Sequence, residues 1–253
     1  MAQSEAGMTF WDHLDVLRGA LIRMLVSVAV ASVVVFCLKS FVFDYLVLAP
    51  ASGDFFIYKA LGIDDFCMRL VNIEVSGQFF THLKVSVILG LILSFPYIIY
   101  EVWRFVAPAL YEREIKAVRK AFGFASLLFY LGVAVGYLVV LPLTLNFFAS
   151  YSVSGSVTNT ITLESYISLL TSLVLLFGLV FEFPSVLAVL SRLGIVHSGM
   201  LRKYRRHAVI AILVISAIIT PADPVSMLIA AVPLYFLYEL SVLVCVKKKE
   251  EPA

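Results

Sequence analysis

Tyr166-Ile-Ser-Leu-Leu-Thr-Ser-Leu-Val-Leu-Leu-Phe-Gly-Leu-Val-Phe-Glu182-Phe-Pro184-Ser-Val-Leu-Ala-Val-Leu190 carries one charged side chain in 25 residues. As a helix it is about 37 Å long, enough to cross a hydrocarbon core of about 30 Å. It is an unbroken apolar run, without the alternation of a barrel strand. The whole chain has the same character. It is 62% hydrophobic and 14% charged, where soluble domains hold about 45–50% and about 25%. Mean hydropathy is +1.01. A chain with so little polar surface is not a soluble domain.

Apolar runs also cover Leu21–Leu38, Phe79–Tyr100, Phe122–Phe148, Ala208–Thr220 and Val225–Val246. The sequence therefore reads as an all-α membrane protein, a single polytopic domain over residues 1–253 with six transmembrane helices. Ala29-Val30-Ala31 imitates a signal-peptide cleavage site, but the apolar run continues to Leu38 and Asp12 and Asp15 precede it, so an uncleaved first span is expected. Of 19 Lys and Arg, 15 fall on the side of residues 1–20, the 101–121 loop, the loop after Leu190 and the 247–253 tail. That bias puts both termini in the cytoplasm. Lys39, Lys59, Arg69 and Lys84 fall on the other side.

Span lengths carry further information. Phe122–Phe148 has 27 residues and must tilt, bend or project. Ala208–Thr220 has 13, roughly 20 Å, and is followed closely by Pro221-Ala222-Asp223-Pro224. Two readings stand. One is a shortened hairpin of spans 5 and 6 that thins the bilayer or leaves a concave side; the other extends span 5 downward through His207 and Arg206. The 39–77 loop, with Pro50, Val47–Leu48 and Phe55–Phe56, is expected to fold over the bundle as an outer cap. Cys37 and Cys67 could meet near that face.

No phosphate-binding loop, H-E-x-x-H or G-x-S-x-G motif is present, and His13, His82, His197 and His207 are scattered. No catalytic residue, metal or cofactor is expected, and the chain does not read as an enzyme. Gly132 and Gly136 could mark close helix packing, while Tyr130 and Tyr137 read as interface anchors. Phe10, Leu14, Leu17 and Leu21 form one helical stripe opposite Asp12 and Asp15, which suggests a helix lying on the inner membrane surface. The 101–121 loop mixes Trp103, Phe105, Leu110 and Tyr111 with acids, and a helix is expected after Pro108. In that helix Glu112 has Lys116 at i+4, whereas Glu114 has Val118 there and is free to receive an outside cation. Glu182 follows 16 uncharged residues of its span, and a carboxyl in that setting faces protein or water. Glu239 raises the same question nearer the basic tail.

These residues carry a resemblance to the TatC family, the signal-peptide receptor subunits of the twin-arginine protein translocase. It rests on Phe10, His13-Leu14 and Leu17-Arg18; Lys84-Val85-Ser86; Leu93-Ser94-Phe95-Pro96; Tyr100-x-x-Trp103-x-Phe105-x-x-Pro108-Ala109-Leu110-Tyr111-x-x-Glu114; Phe181-Glu182-x-Pro184; Thr220-Pro221-x-Asp223; and Pro233-x-x-x-x-Tyr238-Glu239. The resemblance implies a glove-like six-helix bundle in a bacterial cytoplasmic membrane. It implies binding of paired-arginine signal peptides of folded proteins at the cytoplasmic face, partners of the TatA and TatB type, and transport driven by the proton-motive force. By the same resemblance Glu114 receives the arginine pair, Phe105 and Leu110 line that site, Glu182 engages a partner helix, and Pro50 and Asp223 act on the outer side. The N-terminus departs from the family pattern, because Val16 stands where a glutamate is usual and Met227 where a glutamine is common. Asp12, about 40° from Val16 around a helix, or Asp15, about 100° away, is expected to replace that acid. Two rivals would look different. A secondary transporter using Glu182 or Glu239 as a proton site should show an internal repeat, and an assembly factor would need neither Glu114 nor an arginine pair.

Overall fold

The computed structural model describes residues 10–60, 62, 66, 68–107, 112–152, 154, 160–220 and 223–245, with the backbone alone at Phe10, Asp12, His13 and residues 112–121. The first helix, α1, runs Phe10–Cys37 without a break. The stripe of Leu14, Leu17 and Leu21 is thus continuous with span 1, which corrects the separate surface-lying helix suggested by its amphipathic pattern. No proline interrupts the segment, and a single Gly19 weakens a helix by only about 1 kcal/mol.

Helix α4, Gly77–Val106, packs antiparallel along α1. Phe36 of α1 stacks on His82 of α4 at 4.0 Å, and further along small residues let the two helices approach closely. A Cβ on Gly90 would collide with Ser32, and Ser94 Oγ donates to the Ser27 carbonyl at 3.1 Å. The helix continues six residues past the apolar run, so Glu101, Trp103 and Phe105 lie on α4 and not in a 101–121 loop. Nothing in Glu101–Val106 breaks a helix, and Ala107 after it still has helical dihedrals, with its amide on the Trp103 carbonyl. Pro96 sits inside α4 and has no N–H for the Ile92 carbonyl. That carbonyl instead accepts from Tyr130 Oη at 3.1 Å.

Tyr130 belongs to α5, Glu112–Val135, which passes through a π turn, Gly136–Val140, into α6, Leu141–Ser150. Pro142 lies at the start of α6, so the long span is interrupted where proline removes a donor. Gly132 and Gly136 do face a neighbouring helix. A Cβ on Gly132 would stand 2.6 Å from the Phe177 carbonyl oxygen, and one on Gly136 3.0 Å from the Phe177 Cβ. Phe177 lies on α7, Leu163–Phe181, which breaks at Glu182 before α8, Phe183–Arg192. Pro184 in the first turn of α8 accounts for the break. Phe95 and Phe129 stack at 3.5 Å in the core between α4 and α5.

The segment between α1 and α4 folds into short pieces: α2, Lys39–Phe41; a π turn, Val42–Val47; a 3-10 turn, Ala49–Ala51; and α3, Phe56–Ala60. By length and hydropathy Lys39–Ala60 could cross a membrane, but its contacts hold it at one end of the bundle. Tyr58, fully buried, packs on Phe66 at 4.3 Å and donates to the Pro50 carbonyl at 2.7 Å. The Met68 amide returns to the Ala51 carbonyl at 3.3 Å. Tyr137 and Tyr166 donate to the carbonyls of Leu46 and Val47, each at 2.6 Å. Leu70–Val71, β1, pairs in parallel with Ile161–Thr162, β2, which places the cap beside the α6–α7 connection.

The chain closes with α9, Ser198–Lys203; α10, Arg205–Ile219; and α11, Pro224–Val244. Arg205 at the start of α10 meets Glu239 near the end of α11, so the two run antiparallel. Helix α10 has 15 residues, about 22 Å, and it includes Arg206 and His207. Span 5 therefore begins lower than its apolar run and is still the shortest of the long helices. Besides Lys39–Ala60, the helices long and apolar enough to cross a membrane are Leu14–Cys37 of α1, α4, Phe122–Ser150 of α5–α6, α7–α8 and α11. Connections α4–α5 and α8–α10 lie at the end opposite the cap, termed here the loop end. Cys37 is free and exposed; its suggested partner Cys67 lies outside the described residues.

Candidate functional site

At the loop end the antiparallel packing of α1 and α4 brings the N-terminal half of one beside the C-terminal turns of the other. Asp15 is exposed on α1, as is Val16. Asp12 is also on α1, with its side chain outside the described atoms. Phe105 is half-buried in the last turn of α4, and Glu114 lies in the first turn of α5 by its backbone. Leu110, between them, is outside the described residues. The structure thus gathers Asp12, Asp15, Phe105 and Glu114 on elements of one end.

Behind them stands a network that the sequence did not single out. Arg23 Nε donates to Glu101 Oε1 at 3.0 Å and Arg23 Nη2 to Oε2 at 2.7 Å. Tyr97, one turn before Glu101 on α4, donates to Oε1 at 2.9 Å. This is the two-pronged guanidinium–carboxylate geometry. The Glu101 side chain is 2% exposed and that of Arg23 42%. The missed signal was Arg23 itself, a charge within an apolar run, which must find a partner.

Glu182 sits at the α7–α8 break, with Oε1 buried and unpartnered among the described residues. It lines a groove of about 280 Å³ with Ile99, Val102, Phe122, Ser185 and Val186. The groove runs between the last turns of α4, the middle of α5 and α8, on the helices that carry Phe105 and Glu114. Glu239 differs, because it pairs with Arg205 at 2.7 Å and accepts from Tyr235 Oη at 3.2 Å.

Pro50 and Asp223 lie toward the cap end, apart from this set. Pro50 is buried in the 3-10 turn, with its carbonyl held by Tyr58. Asp223 is the N-cap of α11, where Oδ1 accepts from the Ser226 amide at 2.7 Å. Tyr130 and Tyr137 tie helices to carbonyls, and interface anchoring does not describe them. Among the described residues no three His, Cys, Asp or Glu side chains come together as a metal site.

Comparison with known proteins gives the family. Residues 12–233 match the family model of the Sec-independent protein translocase protein TatC. TatC of Blattabacterium sp. subsp. Periplaneta americana is 32% identical over 96% of both chains. TatC of Escherichia coli K12 is 35% identical over 91% of this chain and 85% of its own length. A crystal structure described as the twin arginine translocase receptor TatC superposes with a TM-score of 0.75 at 32% identity, covering 92% of this chain and 97% of its own. A second, in DDM, gives 0.77 at 31% identity, with 91% and 98% covered. The chain belongs to the TatC family.

Proposed function

We propose that this chain is the receptor subunit of a twin-arginine translocase in a bacterial cytoplasmic membrane. The loop end faces the cytoplasm, with residues 1–20, the α4–α5 connection and the 247–253 tail on that side and the 39–77 cap outside. The distribution of Lys and Arg supports this orientation. Glu114 receives the arginine pair of a signal peptide, Phe105 and Leu110 hold neighbouring apolar side chains, and Asp12 or Asp15 stands in for the acid absent at Val16. A guanidinium fork suits a carboxylate, and a lysine cannot reproduce it. Glu182, in its apolar groove, engages a polar group on a single-span partner of the TatA or TatB type. Transport of the folded protein draws on the proton-motive force. The short α10 beside longer neighbours gives the bundle its concave, glove-like side.

The observation that carries the reading is the near full-length likeness to a solved twin-arginine receptor. The test is crosslinking of the reconstituted protein to a signal peptide bearing Arg-Arg or Lys-Lys. The expected result is crosslinking to Arg-Arg alone, lost in Glu114→Ala protein that keeps its native melting temperature. Equal crosslinking to both peptides by the unaltered protein sinks the reading.

A further inference from the structure

We propose that Arg23, Glu101 and Tyr97 form a positioning device that sets the register of α1 against α4, and through it the spacing between the acids of α1 and the receptor loop after α4. The inference rests on the receptor reading above. Toward the middle of the α1–α4 seam the side-chain contacts are small, Ser32 against Gly90 and Ser27 against Ser94, surfaces that let backbones approach closely, and the Phe36–His82 ring stack at 4.0 Å lies at the cap end, far from the loop. The guanidinium–carboxylate fork is different. Both of its bonds, at 3.0 and 2.7 Å, need the two planes aligned. A slip of one residue moves a helix by about 1.5 Å and turns it by about 100°, which breaks the fork.

Burial supports a specifying role over a purely stabilising one. A buried ion pair is weak evidence for stability, because desolvation offsets its attraction, and its best-attested use is to fix registry. Glu101 is nearly inaccessible and is oriented a second time by Tyr97 on its own helix. The position is also suited to the task. Arg23 lies eight residues beyond Asp15, roughly 12 Å along α1, and Glu101 lies four residues before Phe105, roughly 6 Å along α4. A slip at the pair is therefore carried rigidly along both helices and changes the offset between the α1 positions of Asp12 and Asp15 and the end of α4. None of the three residues touches the peptide; they act through the helices they lock together.

The experiment measures equilibrium affinity for Arg-Arg and Lys-Lys signal peptides, and the melting temperature, in the full-length reconstituted protein. The variants are Arg23→Leu, Arg23→Lys, Glu101→Gln and the exchanged pair R23E/E101R. Arg23→Leu and Glu101→Gln are expected to weaken Arg-Arg binding about tenfold, the scale of one charge-assisted hydrogen bond lost, with Lys-Lys binding unchanged. Arg23→Lys keeps the charge and still loses discrimination, because its ammonium cannot make the fork. R23E/E101R recovers most of the ratio. An unchanged Arg-Arg to Lys-Lys ratio in Arg23→Lys and Glu101→Gln overturns the proposal, even if both melt earlier. If Arg23→Leu does not fold, Arg23→Lys and the exchanged pair decide alone. Failure of the unaltered protein to discriminate is a failure of the receptor reading, and it is separated in that way from failure of the positioning role.

Discussion

Glu101, Glu182 and Glu239 are acids on apolar helices, and each keeps different company. Glu239 has Arg205, itself half-exposed, so Glu239→Gln should change stability by about 0–1 kcal/mol, measured by denaturant unfolding in detergent. Glu182 has one buried oxygen, Oε1, without a partner among the described residues. Glu182→Ala should leave Arg-Arg crosslinking intact and reduce co-purification of TatA-type subunits several-fold; unchanged co-purification and export would make it a bystander. Glu182 stood out in the sequence because 16 uncharged residues precede it. Glu101 did not, because its partner is 78 residues away on another helix, and local spacing cannot reveal a pair of that kind. Leu110 was named through motif likeness, whereas Glu114 also stood out by spacing, because Val118 at i+4 leaves it without a helical partner.

At the scale of elements, prolines mark some breaks and not others. Pro142 and Pro184 stand at a π turn ahead of α6 and at the α7–α8 break, while α4 continues through Pro96. The joining of the amphipathic N-terminus to span 1 went unseen, because hydropathy changes there while helix propensity does not. Two substitutions test the packing. Gly132→Leu should separate α5 from α7, since even a Cβ collides with Phe177, and destabilise by about 1–3 kcal/mol, seen as a lower melting temperature. Asp223→Ala removes the cap of α11 and should cost about 1 kcal/mol, with Asp223→Asn nearly neutral because it caps as well. A fall in export far beyond that loss of stability would give Asp223 a role apart from capping.

For the whole molecule, the number of crossings was legible although the identity of one stretch is ambiguous by composition. Lys39–Ala60 is longer than α10 and apolar enough to cross, yet its hydrogen bonds return to the cap, while the 15-residue α10 runs antiparallel to α11. Single cysteines at Ser52 and Glu74, in protein lacking its native cysteines, should both react with a membrane-impermeant maleimide added from outside intact cells. Reaction of only one of the two would mean that the segment crosses. What the sequence could not supply was the attachment of the cap. Its anchors are tyrosines on α5–α6 and α7, up to 119 residues away.

That attachment has a consequence for what can change. Tyr58, Tyr137 and Tyr166 all donate to main-chain oxygens, those of Pro50, Leu46 and Val47. A carbonyl is present whatever side chain the residue bears. Substitutions along the cap can therefore accumulate without loosening it, provided the local backbone path is kept. The constraint falls instead on the three phenol groups, so the exposed face of the cap can diversify while its mounting stays the same.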